Sequence, residues 1–162
     1  MLTERIFSLR DLETRFGHSF IGPIKSDWED VWAHAGGAKI FDETLHVLKI
    51  LRKKGYLIAV VSNLAVPYSR AYYETGLNRY VDKNVFSFEV GLVKPEFEIF
   101  EIVFSALNVL PNECLMVGDS YKSDYVGGIN SGMKAILLNR RKRDIDIPNI
   151  KSLSGIFRHL PF

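Results

Sequence analysis

Between residues 40 and 140, segments whose apolar positions recur every three or four residues alternate with short unbroken apolar runs. The first pattern suits one face of a helix and the second a buried strand. "FDETLHVLKILRKKG" begins with acids, carries Leu45, Leu48 and Leu51 at three-residue steps, and ends in Lys53, Lys54 and Gly55. Both ends match what a helix dipole and a glycine stop require. "YLIAVVSN" follows as a strand, "PYSRAYYETGL" as a short helix opened by Pro67 and broken at Gly76, and "NVFSFEV" as a second strand. "PEFEIFEIVFSALNVLP" reads as a helix begun by Pro95, with Phe97, Phe100, Ile102 or Val103, and Leu107 near helical spacing. "CLMVGD" is a third strand, Lys122 to Ser131 a helix, and "KAILLN" a fourth strand. The alternation predicts an α/β fold, a Rossmann-like parallel sheet with flanking helices.

The first 40 residues carry a different pattern. Thr3 can cap a helix with Ile6, Leu9, Leu12 and Phe16 at steps of three or four, and "SDWEDVW" begins a second helix behind Ser26 or Asp27. No internal repeat interrupts the chain.

At 162 residues and 47% hydrophobic, the sequence suits a single core. Lys and Arg number 21 against 19 Asp and Glu, so a net charge of +2 gives no bulk attraction to nucleic acid or an anionic membrane. The basic run Arg140, Arg141, Lys142 and Arg143 is followed at once by Asp144 and Asp146 and has no interleaved aromatic, so a solvated loop is expected there and no nucleic-acid partner. The single Cys114 has no partner to bridge and sits in an apolar run, as in a reducing compartment. No apolar stretch reaches the roughly 20 residues that span a bilayer, and "MLTERIF" is charged where a signal peptide is apolar. The expectation is a cytoplasmic protein without membrane contact.

Candidate chemistry lies just beyond the carboxyl ends of the strands, where parallel sheets gather functional groups. One end carries Ser62 and Asn63, another leads through "EVGLVKP" to Lys94, and a third reaches Gly118 and Asp119, with Asp124 five residues on. A serine hydroxyl can bond a phosphate oxygen, a lysine can neutralise phosphate or hold carboxylates, and paired aspartates can hold a divalent cation. Mg²⁺ is the natural choice, because it accepts one or two carboxylates and completes its shell with water and phosphate oxygens. Each residue also admits a plainer role: Ser62 and Asn63 at a turn, Lys94 in solvent, Asp119 or Ser120 as a helix cap with Asp124 on its exposed face.

Taken in order, "VVSN", "GLVKPEFEIF" and "VGDSYKSDYVGGINSGMKAIL" resemble the second, third and fourth motifs of the haloacid dehalogenase (HAD) superfamily of hydrolases, most of which are magnesium-dependent phosphatases. The resemblance spans roughly residues 38 to 140. It implies that Ser62 binds the transferring phosphoryl group with Asn63 as its neighbour, that Lys94 orients that group and the nucleophile, and that Asp119 and Asp124 serve Mg²⁺. The implied substrate is a small phosphorylated metabolite, and inorganic phosphate is the simplest ligand.

The family's first motif, a strand ending in Asp-x-Asp ahead of the others, has no counterpart in this order. The only Asp-x-Asp is Asp144 to Asp146, beyond the last strand. "RIFSLRDLE" places Ser8 and Arg10 where the two aspartates would stand, as a degenerate motif or, by its periodicity, a helix. Residues 1–37 resemble the tail of a helical cap and 38–162 the α/β core. The chain is therefore expected to lack the aspartyl nucleophile, to bind Mg²⁺ weakly and to be inactive by itself, as a truncated hydrolase or as a pseudoenzyme that binds phosphate, Mg²⁺ or a partner. The resemblance also puts the missing strand between those ending at Ser62 and Asp119. Those two strands should close up directly, or the N-terminal segment or another chain should fill the gap, with self-association as one outcome.

Overall fold

The computed structural model describes residues 39–141 and 144–161. The two helices expected before residue 38, and the cap remnant assigned to residues 1–37, lie outside the described residues.

The amphipathic stretch after residue 40 forms α1 (Thr44–Lys53), with Arg52 and Lys53 in its last turn. Gly55 follows at φ 83°, and the N–H of Tyr56 reaches back to Leu51 O at 3.0 Å, so a left-handed glycine stops the helix. The chain continues through β1 (Ala59–Ser62), α2 (Val66–Glu74) with Pro67 in its first turn, and β2 (Lys83–Phe86). The expected strand "NVFSFEV" is half right. Ser87–Val90 leaves the strand as one helical turn, α3, closed by Gly91 at φ 72°. The Ser87 hydroxyl donates to Leu64 O at 3.1 Å and fixes that departure.

Next come α4 (Phe97–Leu107), β3 (Leu115–Gly118), a π-helical turn over Tyr121–Val126, α5 (Gly127–Asn130) and β4 (Lys134–Leu138). A two-residue strand, β5 (Asn149–Ile150), and a 3-10 segment over Leu153–Arg158 complete the described chain; neither has a pattern long enough to be read from sequence.

Every strand pairing among the described residues is parallel. β1 pairs with β2, placing Ser62 opposite Phe86, and β3 pairs with β4, placing Gly118 opposite Leu137; β5 extends β4. Among the described residues the strands form two sheets, β1-β2 and β3-β4-β5. Direct closure of β1 on β3, one of the three expected outcomes, does not occur. Side chains connect the carboxyl ends of these strands where a backbone ladder would otherwise run, as the site geometry below shows.

The two sheets nevertheless share both apolar layers. On one face, Ile99, Phe100, Val103 and Phe104 of α4 are buried against Val85, with Ala59, Val61, Cys114 and Met116 packed around them. On the other, Val47 and Leu51 of α1 meet Ile136, Ile150 and Ile156, with Ile58, Leu115 and Val117 alongside. Met116 and Val117 thus point to opposite faces, as the two-residue period of a strand demands. Each fully buried side chain of this kind stabilises the fold by about 1.5–3 kcal/mol, so helices hold the two sheets side by side.

Candidate functional site

β1 and β3 run parallel to their partners and end in polar residues, while α4 and the π turn supply the loops that face those ends. Lys94 sits between α3 and α4 and is joined to Pro95 by a cis peptide bond. Its ammonium donates to Val61 O, one residue before the end of β1, at 2.7 Å, and to Asp124 Oδ1 at 2.6 Å. The two side chains are only 10% and 6% exposed. A lysine ammonium has three N–H groups, and among the described residues one of them is left unspent.

Asp124 is therefore not on the exposed face of a helix. The π turn carries it inward: the N–H groups of Asp124 and Tyr125 both reach Ser120 O, at 3.0 and 3.2 Å, and the wider turn buries the carboxylate. Its second oxygen accepts from the Ser120 N–H at 2.9 Å. Ser120 also caps the turn, its hydroxyl accepting from the Ser123 N–H at 3.1 Å. The carboxyl group lies so close over Gly118 that a Cβ there would overlap it, and a Cβ on Gly127 would come within 2.9 Å of Pro95 Cβ. Glycines at these two positions let the acid, the lysine loop and β3 meet.

Asn63 uses its amide on the same loop. Its Nδ2 donates to Lys94 O at 2.9 Å and its Oδ1 accepts from the Lys94 N–H at 2.7 Å. Ser62, half-buried at the end of β1, has no hydrogen bond from its hydroxyl among the described residues. Asp119 is exposed at the end of β3 and likewise uncommitted there. The structure thus joins Asn63, Lys94 and Asp124 in direct hydrogen bonds, with Ser62 next in sequence to both Val61 and Asn63, and Asp119 next to Gly118 and Ser120. Ser120 takes the capping role that the sequence allowed it, whereas sequence reasoning missed the Val61 carbonyl and the close approach of Asp124 over Gly118. The glycines and serine of "VGDSYKSDYVGG" were a visible signal, whereas a backbone carbonyl leaves none.

The donor set limits what cation fits. No group of three or more His, Cys, Asp or Glu side chains able to hold a metal occurs among the described residues. Among the described residues the exposed Asp119 carboxylate is uncommitted, while each Asp124 oxygen already accepts a hydrogen bond. That combination suits a hard cation retaining most of its waters and sharing phosphate oxygens, as Mg²⁺ does, and not a closed protein cage. Asp119 would hold such an ion, and its charge would neutralise a bound phosphate.

A family model described as haloacid dehalogenase-like hydrolase matches residues 8–132. The glyceraldehyde 3-phosphate phosphatase of Methanothermobacter thermautotrophicus is 35% identical over 100 residues, which cover 61% of this chain and 44% of that protein. The pyrimidine 5'-nucleotidase YjjG of Escherichia coli is 44% identical over 71 residues, covering 43% of this chain and 32% of the relative. The chain thus spans less than half the length of either. A HAD phosphatase from Thermococcus onnurineus, solved by crystallography, superposes with a TM-score of 0.72 at 25% identity over 93% of this chain and 69% of that one. The parallel strands, the flanking helices and the family match agree: the chain belongs to the haloacid dehalogenase-like hydrolases.

Proposed function

We propose that the chain holds the phosphoryl group of a small phosphate ester between Ser62, Lys94 and a Mg²⁺ ion carried by Asp119, as part of a phosphatase-type site. The observation that supports this best is the Lys94 ammonium, nearly buried, fixed by Val61 O and Asp124, and with its third N–H uncommitted among the described residues. A nearly buried cation with a donor uncommitted among the described residues, held at the strand end that carries Ser62, is an anion site in its simplest form. The phosphatase and nucleotidase among the relatives agree with that ligand class.

Binding and turnover are separate in this reading. Asp124 is tied on both oxygens, and Asp119 is assigned to the cation. Asp144 and Asp146 are exposed between β4 and β5. Phosphate monoesters are so inert that enzymatic accelerations reach about 10²¹-fold, and an aspartyl nucleophile divides that barrier through a covalent intermediate. We assign Ser62, Lys94 and the cation on Asp119 phosphate binding without turnover. Among the described residues β1 and β3 are each paired with a strand on one side only, which leaves an edge for a completing strand from the N-terminal segment, a second copy or another chain.

Calorimetric titration with inorganic phosphate, with and without Mg²⁺, together with p-nitrophenyl phosphate hydrolysis, tests the proposal. Expected are Mg²⁺-assisted binding that is lost in Lys94→Ala, and no hydrolysis. A wild-type chain without phosphate affinity would overturn the reading. Hydrolysis abolished by Asp119→Asn would overturn the division between binding and turnover.

A further inference from the structure

The Asn63 amide makes a two-way contact with one distant residue. It donates to the Lys94 carbonyl and accepts from the Lys94 N–H, across 31 positions of sequence. A neighbouring strand would satisfy a peptide unit in this way, yet here one side chain does so at the end of β1. Both polar ends of the amide are engaged by that backbone, so its geometry suits a clamp better than a ligand contact.

We infer that Asn63 is a positioning residue for Lys94: it fixes the main chain of Lys94 so that the ammonium is delivered to Val61 O and Asp124 with its third N–H aimed at the anion site. The inference rests on the phosphate-site reading above and deepens it. A lysine has a flexible four-carbon stem, and an ammonium at its tip is well placed only if the base of the stem is fixed. Glu96 accepts from the Val93 N–H at 3.0 Å, and Gly127 lies beside Pro95, but among the described contacts the Lys94 N–H and carbonyl are bonded to Asn63. Val61, whose carbonyl receives the ammonium, lies two residues before Asn63. The same short segment therefore holds the lysine at both its root and its tip.

Two readouts on the 162-residue chain test this. One is the affinity for inorganic phosphate by calorimetry. The other is the NMR signal of the Lys94 side-chain ammonium, identified by its loss in Lys94→Arg. Asn63→Ala removes both clamp bonds, and Asn63→Asp removes the donor and sets a carboxylate against the Lys94 carbonyl. Leu51→Ala, in the apolar cluster on α1, serves as a control that lowers stability without touching the loop.

In both Asn63 variants we expect phosphate affinity to fall by about tenfold, the size expected for one or two lost hydrogen bonds, with a shifted and faster-exchanging ammonium signal. In Leu51→Ala both readouts stay at wild-type values. Should Asn63→Ala not fold, Asn63→Asp carries the comparison, and Asn63→Ser does so if neither folds. A folded Asn63 variant with an unmoved Lys94 signal overturns the inference, as does one with a shifted signal and wild-type phosphate affinity. If wild type itself does not bind phosphate, the phosphate-site reading fails, while the ammonium signal still decides whether Asn63 positions the lysine.

Discussion

The Lys94 ammonium and the Asp124 carboxylate lie 2.6 Å apart, almost out of solvent, in the space between the ends of β1 and β3. Removing one member of such a pair leaves the other charge buried and unpaired, which is worse than removing both. Lys94→Met and Asp124→Leu should each lower stability by about 3 kcal/mol, and the double variant by less than the sum. Urea denaturation of the four proteins in one double-mutant cycle measures this, and simple additivity would contradict the pairing.

Gly118 has no room for a side chain beneath the Asp124 carboxyl group. Gly118→Ala should force that carboxyl away, lowering stability by about 1–3 kcal/mol, as overpacking does. It should also weaken phosphate binding, because Lys94 loses its charged partner. Thermal unfolding and phosphate titration check the two effects separately; a neutral result in both would show that the turn can retreat.

Tyr72 should titrate late. Burial, and to a lesser degree the neighbouring Tyr73, push its phenol up to about 12, and its hydroxyl donates to Asn84 Oδ1 at 2.6 Å. An unfolded tyrosine ionises near about 10. The raised value therefore contributes stability that is whole below that pH and is lost as pH climbs through about 12. The stability advantage of wild type over Tyr72→Phe should shrink across that window, and ultraviolet titration of phenolate absorbance should show one late tyrosine missing from the variant.

Asp82 behaves oppositely. The Ile58 N–H, donated at 2.8 Å, is the main cause that holds its carboxyl below the usual range, and Arg52, also at 2.8 Å, adds to it. Its contribution is present above the ordinary carboxylate pKa of about 3.9 and is lost as pH falls through the lowered folded value. Asp82→Asn keeps an acceptor for Ile58 but loses the charge. The gap in thermal midpoint between wild type and this variant should narrow as the solution is acidified below that ordinary value; a constant gap would remove the electrostatic account.

What could be read from the sequence depended on range. α1 and α4 were legible because each carries a long apolar stripe, and α1 a stop signal at Gly55; the end of α4 at Asn108, at φ 52°, came only with the structure. Ser87–Val90 was misread because its alternation of polar and apolar residues has the period of a strand, and the contact that turns it into a helix is with Leu64, 23 positions earlier. The same holds at the site. Ser62, Lys94, Asp119 and Asp124 stood out as polar residues beyond strand ends, but the burial of one aspartate and the exposure of the other depend on the π turn. Nothing in the local pattern showed that Asn63 would spend its amide on a backbone 31 residues away.

That π turn has a topological consequence. A ring closed from Tyr125 back to Ser120 accommodates one more residue than an α-helical turn, so the segment acts like a phase shifter set ahead of α5. Deleting a single residue there would not simply shorten the chain. Every side chain after the deletion would swing by about 100° around the axis, since 3.6 residues make one α-helical revolution, and a different side chain would be presented to the lysine.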